Sequence, residues 1–272
     1  MVTTLRLMKS WSASWEDDVA AFLRSMSIER PRSLTQAPKW DLSVVLRSLM
    51  GFPFEPMSQV DLKFVTWKTV FLVAMATSQR RSELHALAFN RLAFTEGGDA
   101  VLGWLPGFLA KNQAPSTCRR PVTIPSLSGL VSRDLPDRTL CPVRALKYYL
   151  DRTKDPVFRR GRERLFVSYR EGFEREIAAP TISRWIICTI RRAYCETRVS
   201  PVLRRAANLS AHEVRALSTS WALYQGAALN DVLDAATWAS HTTFSSHYLR
   251  DCSTLASGML ALGPVVSAGQ VV

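Results

Sequence analysis

Residues 91–125 break a chain whose pattern is otherwise helical, and that break constrains the fold more than any other feature. Short apolar runs at 92–94, 100–104, 107–110 and 121–125 are separated by turn residues. Runs of that length between turn formers read as strands of a small antiparallel sheet, with 111–116 as a hairpin connection. On either side the period is helical. A segment at 41–50 opens on Asp41 and is stopped by the Gly51-Phe-Pro-Phe-Glu-Pro56 turn. Residues 62–77 read as a mostly buried helix and 78–87 as a second one. Helical pattern returns at 142–150, where Pro142 suits a first turn, and again at 181–194, 210–225, 229–236, 243–250 and 255–262. A possible strand at 165–168 and a possible helix at 15–26 complete the reading. The expected fold class is α+β, mainly helical, with one small antiparallel sheet.

The 272 residues, 47% apolar and 21% charged, suit a soluble globular chain of one large domain or one and a half. A formal charge of +12 favours a polyanionic partner, nucleic acid first and a membrane surface second. The stretch 152–170 holds seven basic residues against Asp155 and Glu163. It reads as a solvated loop or as a strip along phosphates, with Arg159, Arg160 and Arg162 as DNA-binding candidates. The five cysteines form no Cys-x-x-Cys pair and stand at no metal-ligand spacing to the four histidines. Reduced thiols and no zinc site are therefore expected. The N-terminus has no apolar run of signal-peptide length, and the apolar stretch 70–76 is too short to cross a bilayer. These features predict a soluble intracellular protein, cytosolic or nuclear.

The chemistry-bearing residues come in a definite order: Arg80-x-x-Glu83, Lys111, His212-x-x-Arg215 and the late Tyr248. A phosphodiester repels nucleophiles, so cutting it without a metal needs cations on its non-bridging oxygens. Arginine meets that need with a planar fork and a permanent charge. Arg80 and Arg215 are the candidate clamps, and Glu83 is placed to orient Arg80. His212, on one helical face with Arg215, can exchange a proton with an attacking phenol or donate to a phosphate oxygen. Lys111, in the hairpin, can protonate a leaving 5′ oxygen. A phenol, with an unperturbed pKa of about 10, attacks only when cations stabilise the phenolate or a base takes its proton. Taken singly, each has a plainer reading: surface arginines, an ordinary i, i+3 ion pair, a structural histidine, a solvated lysine. Tyr224 is a rival for the tyrosine, nine residues past Arg215 on the same helix.

The segment Ala76-Thr-Ser-Gln-Arg-Arg-Ser-Glu-Leu-His-Ala-Leu87 resembles the first arginine motif of the tyrosine recombinase (phage integrase) family. Leu209-Ser-Ala-His-Glu-Val-Arg215 resembles its His-x-x-Arg motif, and Tyr248-Leu-Arg250 its nucleophile motif. The resemblance spans about residues 38–252. Trp40-Asp-Leu42, Pro53-Phe-Glu-Pro56, Cys141-Pro-Val-Arg-Ala-Leu146 and Ala235-Ala-Thr-Trp-Ala-Ser240 further resemble recombinases of eukaryotic mobile elements, the DIRS-like retrotransposon group. Two positions depart from the pattern. Ser78 stands where the family usually has glycine. The family's third His-or-Trp position falls between Trp238, ten residues before Tyr248, and His241, seven before it. Trp238 is preferred, as an indole able to pack beside phosphate, with a core tryptophan as the plainer reading.

The resemblance implies an integrase-type catalytic domain over 38–252, flanked by an N-terminal remnant or linker (1–37) and a C-terminal helix and tail (253–272). The family's N-terminal clamp domain is expected to be largely missing. The implied catalytic set is Arg80, Lys111, His212, Arg215, Trp238 and Tyr248, with Glu83 in support. The implied reaction is DNA strand cleavage and rejoining through a 3′-phosphotyrosyl link, with no cofactor. Duplex DNA and further copies of the chain are the implied partners, and the nucleus the implied location. Two alternatives stay open: a degenerate DNA-binding protein derived from a mobile element, and a type IB topoisomerase-like enzyme.

Overall fold

The computed structural model describes Asp18, residues 21–22, 40–110, 120–127 and 136–170, Gly172, residues 175–196 and 209–236, Trp238 and residues 241–252. The chain divides into two units, Met1–Gln36 and Ala37–Val272. In the first, Asp18, Ala21 and Phe22 are helical, and the rest of the helix expected over 15–26 lies outside the described residues. The helix expected over 255–262 lies outside them as well.

The second unit is mainly helical with one three-stranded antiparallel sheet. Helix α1 (Leu42–Leu49) starts where the Asp41 carboxylate accepts the Ser43 N–H at 2.8 Å, a cap for one orphan donor of the first turn. Helix α2 (Leu62–Thr77) has no polar stripe, and Val65, Val70, Phe71, Leu72 and Val73 are all fully buried. Only Lys63, Phe64 and Trp67 of this helix are half-exposed, so α2 lies at the centre of the core. Its Thr66, Thr69 and Thr77 hydroxyls donate to carbonyls one turn back at 2.7–2.8 Å, so these polar groups are buried without loss.

Ser78 ends α2 with a φ of 49°, in the left-handed region that glycine enters without a Cβ penalty. That conformation explains why the resemblance sets glycine here. Ser78 also makes a 2.6 Å hydroxyl contact with Ser218, which glycine lacks. The break corrects the helix expected over 78–87. Arg80 is extended, helix α3 covers only Arg81–His85, and strand β1 begins at Leu87.

Strands β1 (Leu87–Phe94), β2 (Ala100–Trp104) and β3 (Val122–Ile124) lie in the order β1-β2-β3, with an irregular register between Leu87 and Leu92. A Cβ on Gly103 would stand 2.9 Å from that of Arg91, so this close pairing needs a glycine. The expected strand at 107–110 is a turn through Gly107, with φ +73°. The expected strand at 165–168 makes only a bridge between Ala88 and Arg164, while Leu165, Phe166 and Val167 are buried in the core.

After a 3-10 turn (Pro136–Leu140), helix α4 (Pro142–Thr153) starts with Pro142 in its first turn and the Cys141 thiol accepting the Arg144 N–H. Helices α5 (Pro156–Arg159), α6 (Ala179–Glu196), α7 (Ala211–Tyr224), α8 (Leu229–Ala235) and α9 (His241–His247) follow. Helices α1, α4, α6 and α7 share the main core with α2. Two passages that carry the resemblance meet here. Fully buried Lys68 donates to Leu49 O at 2.6 Å and to Glu55 at 2.5 Å, while Arg144 holds both Glu55 oxygens at 2.6 and 3.0 Å. Burial pushes the Lys68 amine down to about 8 despite the attraction of Glu55. A second apolar cluster of Ala222, Val232, Ala236, Trp238 and Phe244 sits under Tyr248 and Leu249.

Candidate functional site

The left-handed Ser78 sets Arg80 at the cap of α3. Glu83 closes a capping box there, accepting the Arg80 N–H at 2.6 Å and its guanidinium at 3.1 Å. Glu83 is wholly buried, whereas the Arg80 side chain keeps 17% of its exposure. On α7, Ser210 caps the helix through the His212 N–H, and His212 and Arg215 lie one turn apart. Arg215 reaches inward, donating to Ser78 O at 2.8 Å and to Ala236 O, and lies 3.6 Å from Glu83. Glu83 thus bridges both arginines, and two guanidiniums on one carboxylate leave the locus net positive.

The second apolar cluster brings in the aromatic residues. The Arg215 guanidinium stands 4.6 Å from the Trp238 ring centre and 5.6 Å from that of Tyr248, within cation–π range. Trp238 and Tyr248 rings are 4.6 Å apart, and His212 meets Tyr248 edge-on at 6.0 Å. Six of the expected residues, Arg80, Glu83, His212, Arg215, Trp238 and Tyr248, therefore form one continuous contact set. Lys111 lies outside the described residues. Tyr248 stands one residue beyond α9, not on a helix over 243–250 as the pattern suggests, because α9 ends at His247. Of the two candidates for the third position, Trp238 packs on Arg215 and Tyr248, while His241 is exposed at the start of α9. Tyr224 is 56% exposed and its ring stacks on Trp221.

Beside Arg215 and His212 opens a pocket of about 340 Å³, lined also by Gln79, Arg81, Ser183, Ile187 and Ser210. The α6 residues Ser183 and Ile187 were not singled out from sequence. Their one signal is their spacing of a single helical turn on the half-exposed side of a predicted helix. Among the described residues, no three His, Cys, Asp or Glu side chains converge as metal ligands do.

The basic strip needs correction. Arg159 is turned inward: its guanidinium donates to Thr153 O, the Thr153 hydroxyl, Arg164 O and Leu165 O at 2.7–3.1 Å, and covers the Phe89 ring at 4.1 Å. Burial lowers its pKa from the ordinary arginine value. Its fork ties α5 to the segment after it and is not presented to a phosphate. Arg152 and Arg164 are likewise bound to backbone carbonyls, and Arg162 is half-buried with a bond to Phe158 O at 2.8 Å. Arg160 is exposed. Hydrophobic closure of the core under residues 165–167 pulls these side chains in, a force that charge counting does not register.

No family model and no curated protein matches the chain. Among solved structures, it is similar to XerA recombinase at 17% identity and a TM-score of 0.48, covering 80% of this chain and 63% of that one. A XerH site-specific recombinase bound to a palindromic difH substrate is 13% identical with a TM-score of 0.48, over 78% of this chain and 50% of the other. A lambda integrase dimer bound to a core site is 15% identical with a TM-score of 0.42, over 83% and 64%. The chain thus spans between half and two thirds of the length of these three structures. No helix among the described residues is long and apolar enough to cross a membrane.

Proposed function

We propose that this chain cleaves and rejoins DNA strands as a tyrosine recombinase of a eukaryotic mobile element, acting in the nucleus with other copies of itself on duplex DNA. One observation carries the reading. The Tyr248 ring packs against His212 and the Arg215 guanidinium, and Arg215 is joined through Glu83 to Arg80.

In this mechanism Arg80 and Arg215 hold the non-bridging oxygens and take up the charge of the pentavalent transition state. The Tyr248 phenol oxygen attacks phosphorus as His212 receives its proton. The bond to the 5′ oxygen breaks, and that oxygen leaves with a proton from Lys111. The 3′-phosphotyrosyl ester keeps the bond energy, so a 5′ hydroxyl from a partner strand reverses the step. Arg215 is buried with its fork on Ser78 O and Ala236 O, so in this mechanism it turns from those carbonyls to take the phosphate, while Glu83 keeps it next to Arg80. Trp238 backs both Arg215 and Tyr248.

A pool of nicked duplexes with a randomised core tests the reading, because loss of the short fragment traps the covalent link. The expected result is a denaturant-resistant adduct with the wild-type chain, none with Tyr248→Phe, and retained DNA binding in both. An adduct of undiminished yield from Tyr248→Phe refutes Tyr248 as the nucleophile.

A further inference from the structure

Tyr248 follows the last turn of α9, where chain ends are usually loose, yet the residues after it are fastened to α7 at two separate places. Ser220, buried on α7, donates its hydroxyl to Tyr248 O at 3.1 Å and accepts the Arg250 N–H at 2.8 Å. Seven residues nearer the start of α7, Glu213 takes the Arg250 guanidinium on both oxygens, at 2.8 and 3.2 Å. The remaining Arg250 nitrogen folds back onto His247 O and Leu249 O, both at 3.2 Å. The two side chains keep only 9% and 4% of their exposure, so water competes little for these bonds.

Seven residues along a helix correspond to roughly 10 Å. Two attachments that far apart fix both where the segment lies and which way it runs. Glu213 also sits between His212 and Arg215, so the same stretch of α7 that presents the phosphate-binding groups holds the segment bearing the phenol. We propose that Arg250, through Glu213 and Ser220, is a positioning residue that sets the Tyr248 phenol against the scissile phosphate within its own chain. The proposal rests on Tyr248 being the nucleophile.

Arg250→Lys keeps the charge but cannot span both Glu213 oxygens and two carbonyls. It is expected to slow phosphotyrosyl adduct formation at least tenfold, on the order of one hydrogen-bonded fork, with DNA affinity unchanged. A second reaction separates positioning from general support. In Tyr248→Phe, hydrogen peroxide serves as a diffusible nucleophile: its oxygen attacks phosphorus, and the 5′ oxygen leaves with a proton as before. Because this cut needs Arg80, His212 and Arg215 but no phenol, adding Arg250→Lys to Tyr248→Phe is expected to leave the peroxide reaction intact. Ser220→Ala, which removes one attachment and no charge, is expected to give the same split to a smaller degree, and it carries the test if Arg250→Lys does not fold. Normal adduct formation in folded Arg250→Lys and in Ser220→Ala overturns the proposal. So does a parallel fall of the phenol and peroxide reactions, which makes the contacts mere support for α7. A wild-type chain that forms no adduct overturns the recombinase reading, and the proposal with it.

Discussion

Glu83→Gln should be among the most damaging isosteric changes in this chain, because Glu83 is a carboxylate that both candidate phosphate clamps share. Its side chain is wholly buried, and Arg215, 3.6 Å away, keeps 1% of its exposure. Removing one partner of a buried pair leaves the other charge uncompensated and costs about 3–5 kcal/mol. Arg215 retains Ser78 O and Ala236 O, and its separation from Glu83 is long for an ion pair, so the lower end applies, about 3 kcal/mol. For a domain of this size that is a fall in Tm of roughly 6–12 °C. Arg80→Ala removes a partly exposed side chain and leaves Glu83 paired with Arg215, so its cost is about 1 kcal/mol, or roughly 2–4 °C. Thermal unfolding followed by circular dichroism reads both variants under one condition. Phosphotyrosyl adduct yield on nicked duplex should fall in both. If Glu83→Gln melts no lower than Arg80→Ala, the bridging role of Glu83 is refuted.

The neighbouring arginines of α5 and its end should separate by function. Arg159→Ala should lower Tm by several degrees, through carbonyls left unpaired, whereas Arg160→Ala should leave Tm unchanged and reduce the salt slope of DNA binding by about 0.9 for a lost phosphate contact; equal salt slopes for the two variants refute the division. For Lys68, folding lowers the ammonium from 10.5 to about 8, so the unfolded chain holds the extra proton between those values. The Lys68 contribution should therefore rise as pH climbs from about 8 to 10.5, against the fall the raised Cys252 thiol sets between about 9 and 11, so the Tm advantage of the wild type over Lys68→Met should grow across that range. Burial and the neighbouring Asp251 raise the Cys252 thiol to about 11, while Cys195 is exposed. Mapping by mass spectrometry after brief alkylation near neutral pH should find Cys195 modified well before Cys252, and equal rates would show that the Cys252 site is open.

What sequence decided here is local. The apolar run 62–77 predicted α2 to the residue, and Asp41 and Pro142 marked helix starts, because capping and periodicity act over one or two turns. The placing of His212 with Arg215 on one helical face was legible for the same reason, whereas Arg80 and Glu83 meet through a cap and not on the expected helix. Other features came only with tertiary structure. The left-handed turn at Ser78, whose hydroxyl meets that of Ser218 on α7, replaced a predicted helix by a cap, a short α3 and an early β1. The Glu83–Arg215 bridge, the Arg215–Trp238 contact and the Glu213–Arg250 fork join residues far apart in the chain, so no local pattern carries them. Arg159 shows the limit most plainly. Composition assigned it to the surface with its basic neighbours, but burial of Leu165, Phe166 and Val167 brought carbonyl acceptors to its guanidinium and drew it inward. The sign of a charge is written in the sequence; which way the side chain faces is decided by the core that closes beneath it.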